Sequence, residues 1–359
     1  MSAPHVLIMA GGTGGHVFPA LAVAEALIER GVRVSWLGTA HGIEARLVPA
    51  RALELHTIDV AGLRGMGARA WLAAPLKLFR ACLQALGVVR RVAPQLVIGM
   101  GGFAAGPGGL AARLTGRPLL IHEQNASAGL TNRVLARLAN RLLQAFPHTF
   151  VNDHARTVGN PVRREILALA PPAERWRERH DAIRLLVLGG SGGALAINET
   201  VPAALARIDP AMRPQVRHQA GRTLAQAEAA YRQHAVNADV HEFIDDMAEA
   251  YGWADLVVCR SGALTVAELA AAGVGAVLVP YPFAADDHQR ANGQYLVDAG
   301  AAELIDQSEL SADRLATEIG ALCADRAGLL VRAEAARSVA WPNATDDIVD
   351  ACFELLEAA

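Results

Sequence analysis

The sequence is poor in cysteine, and Cys82, Cys259, Cys323 and Cys352 lie too far apart to form a CxxC pair or a zinc spacing. That excludes a disulfide framework, gives no reason to expect a structural metal, and fits a reducing compartment. Aromatic residues make up only 5% of the chain, too few for the interleaved stacking faces of a nucleic-acid binder, so none is expected as a partner. The chain does not open with a basic stretch and a long apolar run, so no signal peptide is expected. None of its glycine loops runs into Gly-Lys-Ser or Gly-Lys-Thr, which excludes a P-loop. The longest uncharged stretch, residues 92–112, has the length of a membrane span. It is broken by Pro94, Gly99, Gly101, Gly102 and Pro107, so a buried strand, a turn and a helix start describe it better.

Acidic residues are missing from one region. Between Val60 and His122 there are none, while Arg64, Arg69, Lys77, Arg80, Arg90, Arg91, Arg113 and Arg117 all fall there. Up to Val158 the chain carries 16 Arg and Lys against 7 Asp and Glu, a net of +9; the rest carries 17 against 29, a net of −12. A basic first half points to an anionic partner: a membrane surface, a nucleic acid or a charged substrate. Residues 70–91 add Leu72, Leu76, Phe79, Leu83 and Leu86 at helical spacing, with Trp71 and Leu78 off that stripe. The stripe reads equally as core or as an interfacial face beside Arg69, Lys77 and Arg80.

What is present is a repeated strand–turn–helix pattern. At 359 residues and 52% hydrophobic, the chain can form two α/β domains. Strand-like runs at residues 5–9, 32–37, 95–100, 118–121 and 141–144 alternate with helical stretches, including one at 19–30. A sharp turn at Gly159-Asn160-Pro161-Val162 reads as a linker, after which the pattern restarts with strands at 184–188, 215–218, 240–242, 256–259 and 276–279 and a helix at 195–208. The expected fold is two doubly wound, Rossmann-like domains, residues 1–158 and 163–342 joined by 159–162, with the C-terminal helix from 343 returning to the first.

Three glycine turns end successive apolar runs: Gly11-Gly12-Thr13-Gly14-Gly15-His16, Gly99-Met100-Gly101-Gly102-Phe103 and Gly189-Gly190-Ser191-Gly192-Gly193-Ala194. Each alone is an ordinary βα turn; together they suggest cradles for a nucleotide diphosphate. None is a good dinucleotide fingerprint. Val17 stands where the first loop needs Gly or Ala, and the second, although Gly99-x-Gly101-x-x-Ala104 fits the permissive form, lacks a well-placed acidic residue after it, which argues against an NAD-dependent oxidoreductase. His16, at a helix start, could take a proton from an attacking hydroxyl or merely cap the helix. His122-Glu123-Gln124-Asn125 follows the 118–121 strand, where Glu123 could act as a base or orient one and Asn125 could bond a sugar hydroxyl. Arg163 could pair with a diphosphate. Glu268, early in the helix after Arg260-Ser261-Gly262, could accept two ribose hydroxyls. Asp286 and Asp287, after an apparent strand end at 280–283, invite a metal reading, but no further oxygen ligands sit at suitable spacing; polar sugar contacts from Gln289 fit better.

In order along nearly the whole chain, the three glycine turns, His122-Glu123-Gln124-Asn125, Gly159-Asn160-Pro161-Val162-Arg163 and Arg260-Ser261-Gly262-Ala263-Leu264-Thr265 resemble the MurG family of GT-B glycosyltransferases. The resemblance implies inverting transfer of GlcNAc from UDP-GlcNAc to the 4-hydroxyl of MurNAc in lipid I, giving lipid II for peptidoglycan. It implies that Thr13, Gly14, Gly15 and Asn125 contact the donor's GlcNAc side, and that Arg163 and Ser191 hold its diphosphate. Ile244, Ala263, Leu264, Thr265, Val266, Ala267 and Glu268 would hold uridine, with Glu268 on ribose, and Gln289 would meet the sugar. Gly12, Gly101 and Gly102 would face the acceptor diphosphate, with His16 the preferred base and Glu123 the second. It further implies a peripheral enzyme on the cytoplasmic face of the inner membrane. Trp71, Leu72, Lys77, Leu78, Phe79 and Arg80 would touch anionic lipid, and cell-wall elongation or division proteins would be partners. No cofactor is expected, and no evident motif coordinates a divalent cation. The third loop has Gly192 where many relatives carry Gln, and residues 284–287 depart from the usual polar run. A transferase with a soluble acceptor and a non-catalytic nucleotide-sugar binder are the alternatives.

Overall fold

A computed structural model describes residues 3–60, 68–150, 154–190, 192–284 and 287–358, with the side chains of 68–73 left out. Ser191, Asp286 and Arg64, and the side chains of Arg69, Trp71 and Leu72, therefore lie outside the described residues. The chain forms two compact units, residues 1–161 with 342–359, and residues 162–341.

The first unit is built on β1 (His5–Met9), β2 (Arg33–Gly38), β3 (Glu54–Thr57), β4 (Leu96–Gly99), β5 (Leu119–Glu123), β6 (Arg141–Gln144) and β7 (Ala155–Thr157). All pair in parallel, in the order β3-β2-β1-β4-β5-β6-β7. Strands β1, β4 and β5 are buried along their whole length, as the apolar runs of a sheet covered on both faces must be. Trp36 is fully buried on β2 and satisfies its indole by donating to the Ala10 carbonyl at 2.8 Å. The second unit repeats the design with β8 (Arg184–Leu188), β9 (Gln215–Gln219), β10 (Asp239–His241), β11 (Leu256–Cys259), β12 (Gly275–Leu278) and β13 (Ala302–Leu304), in the parallel order β10-β9-β8-β11-β12-β13. Strand order reverses between β1 and β4 in one sheet and between β8 and β11 in the other. Open α/β sheets bind ligands outside the carboxyl ends of the strands at such switch points, and the three glycine turns follow β1, β4 and β8.

Several elements differ from their sequence expectation. The first helix spans Gly14–Glu29 rather than starting at Pro19, so Gly14, Gly15 and His16 form its first turn, where His16 and Val17 both donate to the Thr13 carbonyl. Strand β5 runs on through His122 and Glu123 instead of ending before them. Residues 280–283 are a loop after β12, not a strand end. The edge strands β3, β7 and β13 escape the apolar reading because they are short and half exposed.

The helix Ala68–Val92 resolves the question of its stripe in an unexpected direction. Small residues face the core: Ala74, Ala81, Ala85, Val88 and Val89 are buried. The large ones face out, with Leu76 64%, Phe79 61%, Leu78 52% and Leu83 52% exposed.

The C-terminal helix Ala344–Glu357 packs on the Gly14–Glu29 helix of the first unit, fully burying Ile348, Val349, Ala351 and Cys352. Ion pairs ring this contact, Arg30 with Asp346 and Asp350, Arg141 with Glu354 and Arg156 with Asp347. These pairs are solvent-exposed and contribute at most about 1 kcal/mol each, whereas truncating a buried isoleucine costs about 2–5 kcal/mol. Ile348→Ala is therefore expected to lower the denaturant midpoint of unfolding well below that of Asp350→Ala. Equal midpoints for the two variants would refute burial as what holds the helix.

Candidate active site

In the first unit the turns after β1 and β4 press their backbones together. Gly101 and Gly102 both have positive φ, 91° and 88°. A Cβ on Gly102 would overlap the main-chain nitrogen, carbon and carbonyl oxygen of Gly11, and one on Gly101 would lie 2.5 Å from His16 Nδ1. Only glycine fits either position. The β1 turn is backed by Glu44, fully buried, whose carboxylate accepts from the Gly12 and Thr39 main-chain N–H groups at 3.0 Å and from the Thr39 hydroxyl at 2.7 Å. Sequence reasoning missed Glu44; the crowding of Gly11, Gly38 and Gly42 around its carboxylate is the trace it leaves. The helix that follows has Thr13 at its N-cap, with no side-chain cap bond and no acidic residue in the first turn, so its amides and dipole are left for an anion.

His16 is half-buried, and its Nδ1 lies 3.0 Å from Gln124 Oε1. Gln124 Nε2 lies 3.1 Å from His122 Nδ1, and His122 Nε2 lies 2.9 Å from the Gly159 carbonyl. Burial pushes the His122 imidazole down to about 4, against the hydrogen bond to Gly159. Glu123 does not fit the role of base. It is buried and its carboxylate accepts from Asn125 N, Asn125 Nδ2, Gly129 N and Asn132 Nδ2 at 2.8–3.2 Å. It shapes the turn that presents Asn125, which is half-buried. Thr13 and Gly15 are exposed; Gly12 and Gly14 are half-buried.

In the second unit a pocket of about 530 Å³ opens beside the β8 turn, lined by Gly189, Gly193, Ala194, Arg260, Tyr281, Gln289 and Gln307 among others. Sequence reasoning had no role for Arg260, Tyr281 or Gln307. Arg260 donates to the Val279 and Pro280 carbonyls at 3.0 Å and to Gln307 Oε1 at 2.6 Å, and lies over the Tyr281 ring at 5.5 Å. Gln289 Oε1 accepts from the Tyr281 N–H at 2.9 Å. On the neighbouring strand β9, buried His218 bonds Asn198 at 2.9 Å and Tyr231 at 3.0 Å; burial pushes this imidazole too down to about 4.

Arg163 and Glu268 meet in one ion pair at 2.9 Å, and the Tyr251 hydroxyl donates to the second oxygen of Glu268 at 3.2 Å. Burial raises the Glu268 carboxyl above its ordinary value, and the neighbouring Arg163 guanidinium opposes it. Burial also holds the Tyr251 hydroxyl well above its ordinary value, so it remains a donor. On the helix Ala263–Ala272, Leu264, Thr265 and Ala267 are half-exposed, whereas Val266 is fully buried and Ala263 nearly so. Val266 thus turns its side chain to the core, away from the half-exposed side of the helix. Ile244 is half-buried, its N–H bonded to Gln219 Oε1 at 3.0 Å. Among the described residues no three His, Cys, Asp or Glu side chains converge to hold a metal.

The profile of the glycosyltransferase family 28 N-terminal domain matches residues 6–144, and that of its C-terminal domain matches residues 184–348. The chain belongs to the MurG family of these glycosyltransferases. It is 59% identical, over 97% of its length and 98% of the relative's, to a UDP-N-acetylglucosamine–N-acetylmuramyl-(pentapeptide) pyrophosphoryl-undecaprenol N-acetylglucosamine transferase of Alkalilimnicola ehrlichii. It is 53% identical to the protein of the same name from Marinobacter nauticus, over 97% and 96% of the two chains. Among solved structures it resembles Acinetobacter baumannii MurG with a TM-score of 0.87 at 42% identity, covering 98% and 99% of the chains. The calicheamicin glycosyltransferase CalG4 shares the fold, with a TM-score of 0.70 at 19% identity over 100% of this chain and 99% of that one.

The two buried neutral imidazoles set an acid limit on stability. A histidine depressed from 6.5 to about 4 stays unprotonated in the fold while the unfolded chain takes up a proton. Its contribution is complete above pH 6.5 and is lost as pH falls towards 4, at about 1.4 kcal/mol per pH unit. Urea midpoints should fall between pH 7 and pH 5, with a shallower fall in His218→Asn. A variant whose midpoint drops as steeply as that of the unaltered protein would remove His218 from this account.

Proposed function

We propose that the chain transfers GlcNAc from UDP-GlcNAc to the 4-hydroxyl of MurNAc in lipid I, with inversion, yielding lipid II. Family membership at this identity over nearly the full chain carries the activity, and the glycine turns at both switch points supply anion sites for a diphosphate donor and a diphosphate-linked acceptor. His16 takes the proton of the acceptor hydroxyl as its oxygen attacks C1 of the donor sugar and the bond from C1 to the UDP oxygen breaks. Negative charge then grows on UDP. The β8 turn, the N-terminus of the helix Leu195–Leu205 and Arg163 would stabilise it. Arg163 has five N–H donors and a half-exposed head, so one bond to Glu268 leaves others for phosphate. Glu268 takes the ribose hydroxyls, Asn125, Thr13, Gly14 and Gly15 the GlcNAc side, and Gln289 the sugar. Ser191 remains assigned to the diphosphate by family likeness alone.

Turnover of labelled UDP-GlcNAc with a lipid I analogue tests this reading. His16→Ala should lower kcat about 10²- to 10⁴-fold, the range of a general base, with KM for UDP-GlcNAc within about twofold. A folded protein that transfers nothing to the analogue would sink the proposal.

We further propose that the first unit lies against the inner membrane at its cytoplasmic face. No helix of the described residues is long and apolar enough to cross a membrane. The Ala68–Val92 helix instead turns Leu76, Leu78, Phe79 and Leu83 outward among Lys77 and Arg80, and carries no acidic residue. Exposed Leu110 and Leu114 on Ala105–Leu114, which packs beside it, and Leu130 and Val134 on Leu130–Leu135, which packs on Ala105–Leu114, add further apolar surface. Apolar side chains sink into the acyl boundary while cations meet anionic head groups. Leu76→Glu with Phe79→Glu should abolish most sedimentation with anionic liposomes while leaving UDP-GlcNAc binding intact; undiminished sedimentation would place the contact elsewhere. Elongation and division proteins remain proposed partners on family likeness.

A further inference from the structure

We infer that Gln124 and His122 are positioning residues that set the tautomer of His16, leaving its Nε2 as the bare, proton-accepting nitrogen. This rests on the reading of His16 as the base. A neutral imidazole has one N–H and one lone pair, and only the lone-pair nitrogen can take a proton. Which nitrogen that is follows from the far end of the chain of bonds. The Gly159 carbonyl can only accept, so His122 Nε2, 2.9 Å away, carries the proton. His122 is fully buried and held neutral, so its Nδ1 is a lone pair. The Gln124 group 3.1 Å from that lone pair must then be the amide NH₂.

A second carbonyl imposes the same orientation independently. Gln124 Nε2 also lies 3.2 Å from the main-chain oxygen of His122, and a flipped amide would set oxygen against oxygen there. The NH₂ therefore faces His122, and Oε1 faces His16 Nδ1 at 3.0 Å. An amide oxygen can only accept, so His16 Nδ1 carries the proton and Nε2 is bare. The scaffold around the amide is rigid. Gln124 is 1% exposed, its own carbonyl accepts from Asn160 Nδ2 at 2.9 Å, and the His16 ring rests on Gly101, where any Cβ would displace it. Every link lies within the first unit.

The experiment is nitrogen NMR of histidine-labelled full-length protein at neutral pH, with His16 assigned by its loss in His16→Ala, alongside steady-state kinetics. The unaltered protein should show His16 protonated at Nδ1 and bare at Nε2. Gln124→Leu should shift His16 towards the Nε2-protonated form and lower kcat about 10- to 100-fold, the usual loss when the partner that orients a working histidine is removed. KM for UDP-GlcNAc should stay within about twofold. An Nε2-protonated His16 in the unaltered protein overturns the inference without any variant. So does a Gln124→Leu protein whose tautomer and kcat are unchanged. The tautomer is read without turnover, so an inactive protein with the expected tautomer would count against the transferase reading alone.

Discussion

The contact between Gly102 and Gly11 is the constraint on which the first unit's site depends. Two main chains, each leaving a central strand at its carboxyl end, touch where any side chain would overlap backbone atoms. Backbone, unlike a long side chain, cannot swing aside, so the separation of the two turns is set by atom radii. Everything chemically useful is referenced to that contact. The helix amides of Gly14 and Gly15 lie just beyond one turn, and the imidazole of His16 lies on Gly101 of the other. The buried Glu44 carboxylate then holds the β1 turn from behind through Gly12 and Thr39. A charge taken out of water is costly unless its oxygens are bonded, and three donors from two neighbouring segments meet that requirement while fixing the loop.

The fold was legible in the sequence because parallel strands buried on both faces are written as uninterrupted apolar runs. Strands β1, β6, β8 and β11 have the bounds that composition suggests. What periodicity could not tell was direction. The leucine stripe of the Ala68–Val92 helix has the spacing of a core face, yet alanine and valine take the core. The neighbouring Ala105–Leu114 helix, rich in glycine and alanine, packs closely against it. A stripe identifies which residues share a face, not which face meets the protein. Similarly, Pro19 reads as a helix start, but its missing N–H is tolerated one turn further in.

The site was legible as a set of motifs and illegible as a set of roles. Glu123 and Gln124 are adjacent, and charge alone made Glu123 the candidate base. Strand alternation separates them: His122 and Gln124 bond each other, while Glu123 turns the other way into four donors of the Asn125–Asn132 turn. Arg163 and Glu268 are 105 residues apart and were read separately, for phosphate and for ribose; the structure joins them in one pair. Tyr251 has no motif around it and could be found only from the partner it satisfies.

The groups around Glu268 and those behind His16 are ordered by opposite means. In the second unit, a buried carboxylate is balanced by a guanidinium and a phenol, an arrangement that orients Glu268 and Arg163 at the cost of desolvating charge. In the first, the groups behind His16 are neutral, and order comes from hydrogen-bond direction alone, anchored on the carbonyls of Gly159 and His122. An amide oxygen fixes the tautomer without setting a charge beside the ring. The Glu123 carboxylate lies on the other side of the strand, where its bonds build the Asn125–Asn132 turn.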